Sequence, residues 1–132
     1  MTLENITLDG NNVEVKYNGS LVMAEASAVT IKAGATLCNA TSALGTHQAA
    51  GGGSVGYDYA YGGAIHLEGA SAFTMSGGSI INCQAAYGGA ISDMGTGNMT
   101  ISGGIIDNCV ASAAGGGIHK DIVRRAVGRD RS

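Results

Sequence analysis

The sequence contains no proline and no tryptophan, one phenylalanine, and only 13% charged residues. The absence of proline suits a chain rich in hydrogen-bonded strands, because proline removes a donor from the ladder. With so few aromatic residues the core has to consist of small and aliphatic side chains, and we expect a narrow one. The residue in excess is glycine, 23 of 132 residues, which suits sharp turns because glycine tolerates positive φ.

The sequence also shows no feature typical of a signal peptide or of a membrane-spanning helix. Residues 1–10 have neither a basic start nor a long apolar run, so we expect no signal peptide in this chain. No stretch approaches the roughly 20 apolar residues of a membrane-spanning helix. Residues 1–118 carry two lysines and eight carboxylates, whereas residues 119–132 carry five basic and two acidic side chains. We expect this basic end to be solvated and predict no nucleic-acid partner.

The middle of the chain contains an internal repeat with a period of 26 residues. Gly-Gly-Ala-Ile at 62–65 recurs at 88–91, and Thr-x-Ser-Gly-Gly at 74–78 recurs at 100–104. Within each copy the apolar residues alternate as in a β-strand and show no helical spacing. A period of this length is typical of stacked supersecondary units, so the sequence predicts an all-β fold, a β-solenoid of about four coils.

A diverged copy of the repeat precedes the two regular ones. It lies 44 residues before the first regular copy, with Leu21 and Met23 in the places of Ile65 and Leu67. Since 44 residues exceed one period by 18, the sequence predicts an insertion between these copies, at about residues 43–60. Loops on a rigid scaffold often carry function, although a tolerated flexible excursion is an equal alternative.

The last copy of the repeat is incomplete. It begins at residues 115–118, Gly-Gly-Gly-Ile, and its pattern stops at His119. We therefore place the coils in residues 1–118 and a basic cap or tail in residues 119–132. Apolar residues at helical spacing, with arginines on the other face, favour a short helical cap there. A disordered tail would instead leave an open end and favour end-to-end self-association.

The alternation along each strand assigns side chains to the core or to the surface. We expect Ile65 and Leu67 to point inward, and His66 and Glu68 to point outward as solvated surface groups. Asp93 breaks the pattern, because it takes the place of Leu67 one period later. The sequence predicts a bulge or a polar coil edge at that position.

The period also predicts ladders of like residues in adjacent coils, with a structural role. The three cysteines lack the spacing of a zinc site. Cys83 and Cys109 are expected in adjacent coils, where stacked free thiols are favoured, although adjacent strands also permit a disulfide between them. The predicted ladder residues are Ile65, Ile91, Ile118, Ile80, Ile106, Asn82, Asn108, Cys83, Cys109, Thr74 and Thr100.

The two glycine-rich motifs resemble the right-handed parallel β-helix repeats of bacterial surface proteins. Over roughly residues 1–118 the chain is similar to adhesin-like and autotransporter-like members of the pectin-lyase-like superfamily. Its Gly-Gly-Ala-Ile motif is also that of polymorphic outer membrane proteins, which pair it with Phe-x-x-Asn, whereas here Ser76 follows Phe73 at that spacing. The resemblance implies a right-handed parallel β-helix, located at the cell surface or secreted if it belongs to a longer exported protein.

Enzymes with this fold need convergent charged groups, which the sequence does not provide. Asp58, Glu68, Asp93 and Asp107 fall at different coil positions, and no arginine precedes Arg124. We therefore predict no catalytic residue, no metal site and no cofactor. The expected function is that of a non-enzymatic structural or adhesin-like binding segment; the alternative is a carbohydrate-active enzyme, a polysaccharide lyase or hydrolase.

Tyrosines near the insertion supply the candidate binding surface, because tyrosine combines contact area with a polar tip. Its expected ligand is a glycan or a host or cell-surface protein; a merely solvated strand face is the alternative. Thr30, Thr74 and Thr100 form a column that permits a further alternative, an ice-binding or self-assembling surface. The candidate binding residues are Tyr57, Asp58, Tyr59, Tyr61 and Tyr87.

Overall fold

All regular structure in the described part of the chain is β-strand, which confirms the all-β prediction. No helix occurs there, and hence none that is long and apolar enough to cross a membrane. The computed structural model describes residues 1–16, 19–43, 45–48, 54–57 and 61–120.

The strands are arranged in tiers, each a run of consecutive strands that belong to successive sheets. The first tier contains β1 (Thr2–Leu3), β2 (Thr7–Asp9) and β3 (Glu14–Lys16). The second contains β4 (Val22–Glu25), β5 (Ala28–Ile31), β6 (Thr36–Cys38) and β7 (Thr41–Ala43), and is followed by β8 (Gly45–Gln48) and β9 (Ser54–Tyr57). The third contains β10 (Ile65–Glu68), β11 (Ala72–Met75), β12 (Ser79–Ile81) and β13 (Gln84–Tyr87). The fourth contains β14 (Ile91–Asp93), β15 (Met99–Ile101), β16 (Ile105–Asp107) and β17 (Val110–Ala114), and β18 (Ile118–Lys120) begins a fifth.

Equivalent strands of consecutive tiers pair in parallel and form four sheets. Sheet A contains β4, β10, β14 and β18; sheet B contains β1, β5, β11 and β15; sheet C contains β2, β6, β12 and β16; sheet D contains β3, β7, β13 and β17. This pairing confirms that the repeats stack as parallel strands, in the manner of a solenoid.

The core consists of side chains that stack from tier to tier. In sheet A, Ile65 lies opposite Ile91, which in turn lies opposite Ile118. In sheet C, Ile80 lies opposite Ile106. Phe73, the one phenylalanine, is 1% exposed in the same apolar cluster. Burial of each Ile, Leu or Phe side chain contributes roughly 1.5–3 kcal/mol, so these columns supply much of the stability.

The second tier differs from the expected alignment by one residue in β4. Val22 lies opposite Ile65 and is buried, while Met23 is 53% exposed. The prediction that Leu21 and Met23 take the core positions is therefore wrong. The turn after β4 is one residue shorter than the turn after β10, and a shift of one residue exchanges the two faces of a strand.

The predicted insertion contains the one antiparallel pair of the described residues. Strands β8 and β9 form a hairpin in which Gly45 lies opposite Tyr57 and Gln48 opposite Ser54. Both strands fall within residues 43–60, between the second and third tiers. The hairpin therefore lies outside the four parallel sheets.

The Gly-Gly-Ala-Ile motif forms the turn that leads from sheet D into sheet A. Gly62 and Gly88 have φ of 67° and 69°, a left-handed conformation that favours glycine. The Gly62 amide donates to the carbonyl of Tyr87 at 2.8 Å, and successive turns are therefore bonded to each other. A Cβ atom on Gly63 would lie 2.1 Å from the Gly89 oxygen, so the second glycine is required by the close approach of the next turn.

Asp93 lies within the regular register of sheet A, so the predicted bulge at this position is wrong. It lies opposite Leu67 on one side and Lys120 on the other. Its carboxylate is fully buried and accepts hydrogen bonds from the Lys120 ammonium and the Gly95 amide, both at 2.9 Å. The polar side chain at this position is buried, and the lysine of the next tier supplies the compensating charge.

The predicted helical cap falls mostly on residues 121–132, which lie outside the described part of the chain. The two described residues of that segment, His119 and Lys120, belong to β18 and continue sheet A. The strand thus extends two residues beyond the point at which the repeat pattern fades in the sequence.

Candidate functional site

The turns before β10 and β14 place two tyrosines side by side. Tyr61 precedes Gly62, and Tyr87 precedes Gly88, so both occupy the same position in successive turns. Their backbones form a parallel bridge. Their rings are stacked with centroids 5.0 Å apart and an angle of 24° between the planes.

Two histidines extend this pair at both ends. The His66 ring is stacked on Tyr61 at a centroid distance of 5.5 Å, and the His119 ring lies 5.6 Å from Tyr87. The four rings form a continuous row, called the aromatic stack below, beside the outer face of sheet A. Tyrosine and histidine each combine an apolar ring with polar atoms, so the row offers contact area together with hydrogen-bonding groups.

His66 is buried, contrary to the prediction of a solvated histidine. The alternation correctly places it on the outer face, but the Tyr61 ring lies against it and only 3% of the residue is exposed. Its Nε2 lies 2.8 Å from an Oε2 of Glu68, whose side chain remains 54% exposed. The pair places a carboxylate at the solvent edge of the stack and an imidazole behind it.

Two buried polar atoms under the stack have no hydrogen-bond partner among the described residues. They are the Nδ1 of His66 and the Oγ of Ser92. Ser92 is fully buried and lies directly opposite His66 in one tier and His119 in the next. A buried polar group without a partner costs roughly 1–3 kcal/mol, so a buried water between these two atoms would stabilise the site.

The five predicted binding residues divide into two groups. Tyr61 and Tyr87 are brought together in the aromatic stack. Tyr57 is the last residue of β9, and only its backbone is described. Asp58 and Tyr59 lie outside the described residues. The part of the predicted surface that the structure describes is therefore its tyrosine pair.

Sequence reasoning did not assign four members of the site to it, which are His66, Glu68, Ser92 and His119. Ser92 follows His66 by one period of 26 residues, so the repeat itself was the available signal for their contact. The burial of His66 had no such signal, because it depends on a ring that reaches over from the preceding turn.

The asparagine ladder runs along the corner between sheets C and D. Asn108 donates from Nδ2 to the Oδ1 of Asn82 at 2.5 Å, and Asn82 donates to Asn39 at 3.4 Å. All three have φ between 52° and 56°, a conformation that asparagine tolerates better than most residues. These contacts give the ladder a structural explanation.

The threonine column on sheet B has one more member than the sequence alignment indicates. Thr2 lies opposite Thr30, which lies opposite Thr74, and Thr74 lies opposite Thr100. It is a single column, and its neighbour on the same face is interrupted by the exposed side chain of Lys32. The flat hydroxyl array of an ice-binding surface is therefore not continued sideways.

No protein-family model, no curated protein and no solved structure matches the chain. Function is thus inferred from the residues themselves. Within the described ranges, no three or more His, Cys, Asp or Glu side chains are grouped to hold a metal ion. The most distinctive arrangement of polar and aromatic groups is the aromatic stack with its Glu68 carboxylate.

Proposed function

We propose that the chain is a right-handed parallel β-helix segment of a bacterial cell-surface or secreted protein, with a non-enzymatic, adhesin-like binding role. Four parallel sheets and the repeated glycine turns support this proposal, together with the resemblance of the motifs to pectin-lyase-like surface repeats. Such folds serve many functions, so the choice of a binding role rests on the site rather than on the architecture.

The aromatic stack is the observation that carries this proposal. Its ligand is a glycan, since sugar rings present apolar C–H patches together with many hydroxyl groups. Tyr61 and Tyr87 would contact the apolar patches, and Glu68 would accept hydrogen bonds from hydroxyls at the solvent edge.

Tyr87→Ala tests this assignment. We expect titration calorimetry against a panel of neutral and acidic oligosaccharides to find a ligand for the intact chain. Removing the ring should weaken its binding roughly thirty-fold, because a central aromatic anchor typically contributes about 2 kcal/mol. Gln84→Ala is the matched control, since this exposed residue lies on the same strand, β13. Equal affinities for the two variants, or no binding across the panel, would exclude the stack as a glycan site.

A carbohydrate-active enzyme is the second candidate, favoured by the contact between His66 and Glu68 at 2.8 Å. An imidazole and a carboxylate at that distance can hold and transfer a proton. Polyuronides and neutral glycans, incubated with and without calcium, separate the two functions by the release of reducing ends. Turnover that is lost in Glu68→Gln would replace the binding role with an enzymatic one; ligand binding without turnover supports the first proposal.

A further inference from the structure

Cys83 and Cys109 occupy equivalent positions in the third and fourth tiers, each directly after a ladder asparagine. The Val110 amide donates to the Cys83 carbonyl at 2.9 Å, which fixes the two segments side by side. Both thiols are free. Strands of one sheet lie roughly 4.8 Å apart, inside the Cα separation that a disulfide allows.

The two thiols differ in their access to solvent. Cys83 is fully buried in the apolar cluster, whereas Cys109 packs against the edge of that cluster and is partly exposed. The Cys83 Sγ lies 3.4 Å from the Ile81 carbonyl. A reagent from solvent therefore meets Cys109 first, with Cys83 directly behind it.

Hydrogen bonding between the thiols makes their chemistry unequal as well. The hydrogen-bonding contact with the Cys83 side chain favours the thiolate of Cys109 and lowers the pKa of Cys109 to about 7. The same hydrogen bond, together with burial, raises the pKa of Cys83. Burial and the nearby Asp9 carboxylate raise the pKa of Cys38, the third cysteine. At neutral pH the thiolate, which is the nucleophilic form, is therefore concentrated on Cys109.

We propose that Cys109 and Cys83 form a reversible redox modification site, with Cys109 as the attacking thiolate and Cys83 as the resolving thiol. The co-reactant is a hydroperoxide. The Cys109 sulfur attacks one peroxide oxygen, the O–O bond breaks, and the products after proton uptake are a sulfenic acid and water or an alcohol. The Cys83 sulfur then displaces the sulfenic oxygen as water, so that two thiols are oxidised to one disulfide. This site is independent of the aromatic stack.

The disulfide would join the third tier to the fourth, and a thiol reductant would restore both cysteines. The lowered pKa gives Cys109 a larger thiolate fraction at neutral pH than an ordinary thiol has. Since a less basic thiolate is also less nucleophilic, the gain in reaction rate is smaller than the gain in thiolate fraction. The pH at which the rate reaches half its maximum is thus a sharper readout than the rate itself.

Cleavage on the amino side of aspartate separates all three cysteines, because it places Cys38 in fragment 9–57, Cys83 in 58–92 and Cys109 in 107–120. The intact chain is treated with one equivalent of hydrogen peroxide at pH 7, alkylated, digested and weighed by mass spectrometry. We expect fragments 58–92 and 107–120 to be joined, with the loss of two hydrogens, in a protein that is monomeric on a non-reducing gel. Cys38 should be recovered alkylated.

Preferential oxidation of Cys38, oxidation of Cys109 without joining, or three unoxidised thiols would each overturn the proposal. Two variants separate the roles of Cys83. Cys83→Ala should raise the alkylation midpoint of Cys109, the pH at which its alkylation rate is half maximal, from about 7. The same variant should accumulate a sulfenic acid that dimedone traps. Cys83→Ser, which keeps a hydroxyl donor, should trap the sulfenic acid with a midpoint still near 7.

Cys38→Ala is the matched control and should change neither the joining of the fragments nor the midpoint. Far-UV circular dichroism checks that each variant retains its strand content. If Cys83→Ala does not fold, Cys83→Ser decides the resolving role by itself. A Cys83→Ser chain whose Cys109 reaches no sulfenic acid under the same peroxide exposure contradicts the proposal.

Discussion

Asp93 occupies a column of sheet A that the two preceding tiers fill with apolar side chains. Ala24 and Leu67 precede it in that column, and Lys120 follows it. A carboxylate that is removed from water needs a partner, because an uncompensated buried charge is costly. Lys120 supplies one at 2.9 Å while its own side chain remains 30% exposed.

Lys120→Met should destabilise the protein by about 2–3 kcal/mol, less than for a fully buried pair because the lysine is partly solvated. Urea unfolding followed by circular dichroism measures the difference. Lys32→Met is the matched control: this exposed lysine is not paired among the described residues, and its loss should change the free energy of unfolding by less than about 0.5 kcal/mol.

A double variant tests whether the charge itself is responsible. Asp93→Leu combined with Lys120→Met restores an apolar column, and replacement of a buried ion pair by apolar residues is often neutral. We expect it to recover most of the stability lost in the single variant. A double variant less stable than Lys120→Met alone would show that hydrogen bonds such as that of the Gly95 amide matter more than the charge.

The limits of prediction at the residue scale lie in contacts between tiers. The sequence predicts the direction of His66 correctly, since alternation is a property of one strand. Its burial depends on Tyr61, which comes from another element, and the single-strand pattern does not contain that ring. Asp93 likewise appears as a defect until its partner, 27 residues later, is placed opposite it.

Among the elements, the glycine turn between sheets D and A has the tightest packing constraint. Gly63→Ala should cost about 3 kcal/mol or more, because its Cβ would lie 2.1 Å from the Gly89 oxygen and the backbone has to move. The midpoint of urea unfolding should fall accordingly, with far-UV circular dichroism still showing strand.

Gly116 provides the control, because it takes the same turn position in the fifth tier. A Cβ atom there meets nothing within 4 Å. We expect Gly116→Ala to be neutral or slightly stabilising, by up to about 1 kcal/mol, since alanine restricts the unfolded chain. Equal losses in the two variants would mean that chain conformation, rather than the contact between turns, selects the glycines.

The strands were the most predictable elements, and the turns between them the least. The 26-residue offset places Thr74 opposite Thr100 and Ile80 opposite Ile106, as the structure has them. The same reasoning misplaced β4 by one residue, because it assumed one constant offset for the whole diverged copy. Turn length is set by local backbone conformation, which apolar periodicity does not report.

On the scale of the whole molecule, the described part of the chain ends in an incompletely covered core. Ile31 and Met75 are fully buried in one column of sheet B, whereas Ile101, the next member, is 43% exposed. Ile105 and Val110, on the outer faces of their strands, are 58% and 54% exposed. Strands at such an end also present unpaired backbone groups, which favour pairing with another chain.

Deletion of residues 121–132 should increase self-association if these residues form the cap that the sequence predicts. Light scattering over a concentration series measures the apparent mass. Ile101→Lys in the truncated chain should reverse the increase by placing a charge in the apolar end. An apparent mass of the intact protein that rises with concentration would contradict the cap. A truncated chain in the same association state as the intact chain would contradict an associating end.

The direction of the hydrogen bonds has a mechanical consequence. Backbone bonds join each tier to the next, and the described chain enters the stack in the first tier and leaves it in the fifth. A force applied between the two ends of the chain therefore opens bonds one after another, as a zipper does, instead of loading a whole sheet in shear. The third tier, which spans 26 residues from Ile65 to Ile91, would release about 90 Å of extended chain on detaching. The molecule would lengthen in successive steps under modest load, with the longest step at the tier that carries the insertion, and would absorb work that a sheared sheet would resist until it ruptured.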